Sequence, residues 1–253
     1  MPGGASFLAD AARVRIFNRC LRSAHHPVNS ILPGDASFDS QPNAWEAAYL
    51  RFETPAREVD RFHQRLLRLG ARHWPRDAQI VELFCGRGSG LRTLSALGFA
   101  NVEGVDFSPH LAAWHDGPGH VHVADCRRLP FPDSSRDILI VHGGLHHLPR
   151  LPEDLDQTLA EASRVLRPHG RFVCVEPWIT PFLRCVHAVC DVPLARALSE
   201  RIDALAAMLE HERPTYEQWL REPERVRHAL RTHFKAETES IRWGKLLFVG
   251  LKA

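Results

Sequence analysis

Three kinds of side chain in this sequence can do chemistry, and their spacing suggests what each would do. Glu82 closes the apolar run Ile80, Val81, Leu83 and is followed by three glycines, Gly86, Gly88 and Gly90. A carboxylate just before a glycine turn is a poor neighbour for a pyrophosphate and a good one for a ligand carrying an ammonium or sulfonium cation. A second carboxylate, Asp106, ends the run Val102 to Val105. There it can accept hydrogen bonds from both hydroxyls of a ribose. Three histidines, His142, His146 and His147, follow the apolar run from Asp137 to Val141. An imidazole has a pKa suited to removing a proton near neutral pH. For His146 and His147 the plainer alternatives are a backbone hydrogen bond and a helix start.

These residues need a scaffold, and the surrounding pattern describes one. Gln79 to Leu91 reads as a buried strand, a glycine turn and then a helix with Leu91, Leu94, Ala96 and Leu97 on one face. Glycine suits the turn because a ligand must approach the backbone closely. Strand, glycine turn and helix make the first unit of a nucleotide-binding α/β fold. A dinucleotide fold asks for G-x-G-x-x-G/A, whereas the spacing here is G-x-G-x-G with Leu91 next. The second strand ends at Asp106, and Ser108 followed by Pro109 starts a helix. His122 to Cys126 reads as the third strand and its end. Asp137 to Val141, nearly all apolar, reads as a central parallel strand. A helix from Leu155 to Leu166, a turn at Arg167 to Gly170 and a fifth strand from Arg171 to Val175 follow. Upstream, Thr54, Pro55 and Glu58 signal the start of a helix whose stripe is Val59, Phe62, Leu66, Leu67 and Leu69. Downstream, Leu194, Leu198, Ile202, Leu205 and Leu209 recur at helical spacing. A further helix is expected from Tyr216 to Arg231. The strands Ala236 to Trp243 and Lys245 to Leu251 would join at Gly244.

With these motifs in place, the chain resembles the class I S-adenosylmethionine (SAM)-dependent methyltransferases, of the small-molecule type with a methyltransferase-11-like domain. Their first motif reads acidic-x-G-x-G-x-G, and Glu82, Gly86 and Gly88 match it, with Phe84 in place of the first glycine. The stretch Val165 to Phe172 and the stretch Asp137 to Pro149 are also similar to the family. The resemblance implies a Rossmann-like α/β fold: a seven-stranded, mostly parallel sheet with an antiparallel last strand, plus helical cap elements. It implies that Glu82, Phe84, Cys85, Gly86, Gly88, Asp106, Phe107, Asp125, Cys126, His142 and Gly143 hold the cofactor. Asp125 would accept from the adenine amino group, and Leu129 and Phe131 would flank the ring. His146 is the first candidate for a general base, with His142 and His147 beside it. Trp45, Tyr49, Phe52 and Trp178 are the expected acceptor-pocket residues. The expected organisation is an N-terminal helical or irregular lid over 1–54 and a methyltransferase domain over 55–253. A helical insertion at about 181–212 would serve either as a substrate cap or as extra core packing.

Composition agrees with a folded globular chain: 253 residues, 44% apolar, 25% charged, formal net charge +2. That charge does not point to nucleic acid. After the fourth strand the chain reads His142, Gly143, Gly144, Leu145. This is neither the Asn/Asp-Pro-Pro-aromatic signature of nucleic-acid aminomethyltransferases nor the Pro-Cys nucleophile of cytosine C5 enzymes. The six cysteines show no CxxC and read as reduced thiols of a cytoplasmic protein. No apolar run reaches the roughly 18 residues of a membrane span. Phe7 to Leu21 is mildly amphipathic; a transit peptide is the alternative, but Asp10 interrupts the basic face and no cleavage pattern stands out, so it reads as a surface helix or tail. No resident metal is expected, since His120 and His122 alternate on one strand face and no other ligand spacing stands out. The expected function is methyl transfer from SAM to a small organic acceptor. Its rivals are a non-catalytic SAM- or adenosine-binding regulatory module, an arsenite or thiol methyltransferase using Cys126, Cys174, Cys185 and Cys190, and an NAD-dependent oxidoreductase.

Overall fold

Alternation along the strands sets the layers. In β1 (Gln79–Leu83) Ile80 and Glu82 face one side of the sheet, and Val81 and Leu83 face the other. The computed structural model describes residues 44–252. The expected helix at Phe7 to Leu21, and the 1–54 lid as far as residue 43, lie outside the described residues. β1 pairs in parallel with β2 (Asn101–Asp106) and with β4 (Arg136–His142). With β3 (His120–Val123), β5 (Leu166–Pro177), β6 (Lys235–Arg242) and β7 (Lys245–Leu251), the sheet runs β3-β2-β1-β4-β5-β7-β6. β7 is antiparallel to both of its neighbours. This is the seven-stranded, mostly parallel sheet that the sequence predicts. Strand order reverses between β1 and β4, so a crevice opens at the C-terminal ends of those strands.

Helices cover both faces. On the Ile80 side, α2 (Pro55–Arg68) and α3 (Ser89–Ala96) bring Leu66, Leu91 and Leu94 against Ile138, Ile140 and Val173. On the Val81 side, α5 (Glu153–Val165) brings Leu155, Leu159 and Ala162 against Leu139, Phe172 and Phe248. Burying each such leucine contributes about 1.5–3 kcal/mol. Two caps fall where the sequence predicts them. Thr54 accepts from the Arg57 amide ahead of Pro55, and Ser108 accepts from the Leu111 amide at the start of α4 (Pro109–Ala113). α1 (Ala44–Phe52) lies against the later helices, at the crevice end of the sheet.

Two helical expectations change. The 181–212 segment is three helices, α6 (Pro181–Cys190), α7 (Pro193–Leu198) and α8 (Glu200–His211). Ser199 is extended and caps α8 by accepting from the Ile202 amide, so it interrupts the leucine periodicity. Leu194 and Leu198 accordingly face outward. The helix expected from Tyr216 to Arg231 is likewise two, α9 (Arg213–Arg221) and α10 (Pro223–His233). Pro223 cannot donate a helical hydrogen bond, and its ring drives Glu222 out of the α region. No helix among the described residues is long and apolar enough to cross a membrane.

Candidate active site

The glycine turn is held from behind by α2. Glu58 accepts from Arg87 Nε at 2.9 Å and from the Ser89 hydroxyl at 2.7 Å, and it also accepts from the Tyr49 hydroxyl. Arg87 donates onward to the Glu53 carbonyl at 2.6 Å. Within the turn, Phe84 takes the left-handed backbone (φ 56°) that the family's glycine would supply. Its ring lies where a side chain on Gly144 would sit, so Gly144 makes room for it. Gly90 plays the matching part for Glu82: a Cβ there would fall on the Glu82 carboxylate. Glu82 therefore folds under the first turn of α3, fully buried. Its Oε2 has no hydrogen-bond partner, and its Oε1 is 3.5 Å from His142 Nδ1. Burial, with Glu58 and Asp106 nearby, pushes its carboxyl well above the usual range. Both ring nitrogens of His142 also lack hydrogen-bond partners, and burial drives its pKa down.

Asp106 closes the mouth of the turn. Its Oδ2 accepts from the Gly86 amide at 2.7 Å and its Oδ1 from the Ser108 amide at 2.8 Å. Burial raises its pKa, opposed by those amides. Asp125 and Cys126 follow the end of β3. Asp125 pairs with Arg127 at 2.7 Å, which holds its carboxyl below the ordinary range. The Cys126 thiol lies 3.7 Å from the Thr158 hydroxyl, and burial raises it to about 11.

The other end of the crevice is built on β5 and the later helices. Glu176, fully buried, accepts from the Gly144 and Leu145 amides through Oε1 (2.9 and 3.0 Å) and from His146 Nδ1 through Oε2 (2.8 Å). Because a carboxylate only accepts, His146 donates to it through Nδ1, which leaves Nε2 free of that bond. His147 Nδ1 is 3.2 Å from Glu212 Oε2, and His146 Nε2 is 3.9 Å from the same oxygen. Trp45 from α1 donates to Glu212 at 2.9 Å and stacks on Tyr49. Burial raises Glu212 and lowers His147. Lys245 also faces this space, and burial beside Arg65 lowers its ammonium to about 8.

A cavity of about 700 Å³ joins the two ends. It is lined by Phe84, Cys85, Gly86, Asp106, Phe107, Asp125, Cys126, His142, Gly143, His146 and His147, and by Trp45, Tyr49 and Phe52. Three expected site residues are elsewhere. Glu82 sits behind the turn because Gly90 admits it there. Gly88 packs on His115, whose ring occupies the place of a Cβ. Trp178 is buried in the core against Trp219 and does not line the cavity. Glu176, Glu212, Tyr216 and Lys245 were missed by the sequence reading. Each lies far along the chain from the histidines, and no local spacing marks it. The five described cysteines are free, and none belongs to a metal-ligating cluster among the described residues.

A glycine turn open at Gly86, a carboxylate at its mouth and a histidine with unpartnered ring nitrogens in the cavity wall fit an adenosine ligand. Fold and site together resemble those of a class I SAM-dependent methyltransferase domain. Residues 81–174 match the family model described as a methyltransferase domain. The chain is 35% identical over 129 residues to the ubiquinone/menaquinone biosynthesis C-methyltransferase UbiE of Rubrivivax gelatinosus, covering 47% of this chain and 48% of that protein. It is 33% identical over 149 residues to the demethylmenaquinone methyltransferase of Lactiplantibacillus plantarum, covering 49% and 60%. The matched part thus spans about half the length of these curated relatives. Among solved structures, a protein from Pyrococcus horikoshii superposes with a TM-score of 0.55 at 19% identity, covering 75% of this chain and 89% of that one. A geranyl diphosphate methyltransferase in complex with SAM gives 0.55 at 17% identity, covering 78% and 86%. These likenesses concern the fold.

Proposed function

We propose that the protein transfers a methyl group from SAM to a small organic acceptor by in-line displacement. The observation that carries this reading is the single cavity running from the Asp106 carboxylate and the Gly86 turn to His146, His147 and Tyr216. When bound, the cofactor supplies a methyl group made electrophilic by its sulfonium. The chain's part is to position, to exclude water and to manage a proton. Asp106 would hold the ribose hydroxyls. Asp125, kept ionised by Arg127, would face the adenine amino group, and the backbone at His142 and Gly143 would meet the methionine end. α1 and the helices of 181–212 would roof the acceptor end as a lid. His146, with Nδ1 held by Glu176, presents the lone pair of a general base.

The names of the UbiE-type relatives make a quinone-precursor ring the first acceptor to test. The stacked pair Trp45 and Tyr49 suits a flat ring. The test is calorimetric titration with SAM, its demethylated product and NAD, repeated on Asp106→Ala, then an acceptor panel. Saturable binding of SAM and product, weakened about tenfold or more by the substitution, is the expected result. NAD binding without SAM binding would refute the reading.

A further inference from the structure

We propose that His146, His147 and Glu212 form a binding site for one divalent transition-metal ion at the acceptor end of the cavity. One donor atom from each lies within 4.8 Å of the others, and among the described residues this is the group of three or more metal-ligating side chains so arranged. Donors held about 2.0–2.2 Å from an ion stand roughly 3–3.5 Å apart. His147 Nδ1 and Glu212 Oε2 already do, at 3.2 Å, and His146 Nε2 is 3.9 Å from that oxygen.

The support behind the three ligands favours an ion over a chance cluster. A metal-ligating imidazole usually donates its second nitrogen to a carboxylate or carbonyl, which fixes the tautomer and aims the lone pair. Glu176 does this to His146 at 2.8 Å, and its other oxygen is fixed by the Gly144 and Leu145 amides. Trp45 Nε1 donates to the same Glu212 oxygen, Oε2, at 2.9 Å, which holds the carboxylate in place and leaves its second lone pair and Oε1 for an ion. The imidazoles are wedged edge-on by aromatic rings, His147 by Trp45 and His146 by Tyr216, with centroids 5.1 and 5.6 Å apart. Two imidazoles and one carboxylate suit zinc, cobalt, iron or nickel better than magnesium or calcium, which prefer all-oxygen sets. Three protein ligands leave coordination positions open, and all three line the cavity. An acceptor that coordinates through oxygen would meet the ion there. The Nε2 lone pair of His146 serves either an ion or a proton, so the metal site stands or falls independently of methyl transfer.

The test uses the full chain, stripped with a chelator, exchanged into metal-free buffer and titrated with Co²⁺ by calorimetry and absorption, then with Zn²⁺ in competition. The expected result is one saturable equivalent with the visible bands of a nitrogen- and oxygen-ligated cobalt. Its affinity should fall about a hundredfold or more in His147→Ala and in Glu212→Gln, and about tenfold in Glu176→Gln. Circular dichroism and SAM titration of each variant separate loss of the site from loss of the fold. A His25→Ala/His26→Ala variant controls for the other adjacent histidine pair and should bind as the parent does. The proposal is overturned if no saturable binding of either ion occurs. It is also overturned if folded His147→Ala and Glu212→Gln bind as well as the parent, or if only the His25 and His26 variant loses the ion.

Discussion

Replacing Glu176 by glutamine tests the acceptor end of the site without needing the acceptor. Glu176 takes three hydrogen bonds at zero exposure, two from backbone amides and one from His146 Nδ1. The amide of Glu176→Gln has the same shape but only one accepting oxygen. If that oxygen keeps the Gly144 and Leu145 amides, the new NH₂ group points at His146 and must find an acceptor there. The imidazole then carries its proton on Nε2, and the lone pair facing the cavity is lost. Losing a positioned base costs about 10²–10⁴ in rate. Exchanging a charge-assisted bond for a neutral one costs about 1–2 kcal/mol of stability. Glu176→Ala, which leaves three buried donors without a partner, should cost about 3–5 kcal/mol. Nitrogen-15 NMR of the imidazoles reads the tautomer directly, and urea unfolding reads the stability. An unchanged Nδ1–H tautomer in Glu176→Gln, or Glu176→Ala as stable as the parent, would refute the assignment of Glu176 as the group that orients His146.

Two further predictions follow from buried neighbours. Gly90→Ala places a methyl group on the Glu82 carboxylate. It should destabilise by about 1–3 kcal/mol and weaken SAM binding, and a double-mutant cycle with Glu82→Ala should recover most of the stability if the clash is the cause. Lys245 titrates at about 8 in the fold because it is buried, whereas a free lysine titrates near ~10.4. Between those values the unfolded chain binds more protons, so the contribution of Lys245 to stability rises with pH across that window and is least favourable below it. Lys245→Met should therefore gain up to about 3 kcal/mol near neutral pH and little near about pH 10. Urea unfolding at the two pH values checks this, and an equal gain at both would contradict it.

The cofactor end was legible locally. Strand, glycine turn and helix lie within one continuous stretch, so spacing alone placed Gly86 in the turn and Asp106 beside it, and the two meet through the Gly86 amide and line one cavity. The same local reasoning found the Thr54 and Ser108 caps and the closing hairpin, because each depends on a few adjacent residues. It went wrong where one residue overrides a periodicity, as Pro223 and Ser199 do in splitting their helices. It also misplaced Trp178, because periodicity does not say what covers a strand's end.

The acceptor end belongs to the tertiary structure. Glu176 sits opposite His146 because β5 pairs beside β4 and strand parity turns the Glu176 side chain toward the Leu145 turn. Glu212 reaches the histidines only because α8 and α9 fold back over the crevice, where Trp45 from α1 meets it. The sequence by itself determined the class of fold and the residues of the glycine turn, because those depend on short-range spacing. The partners of the histidines, and the cavity between the two ends, depend on side chains brought together from distant parts of the chain, and only packing decides those.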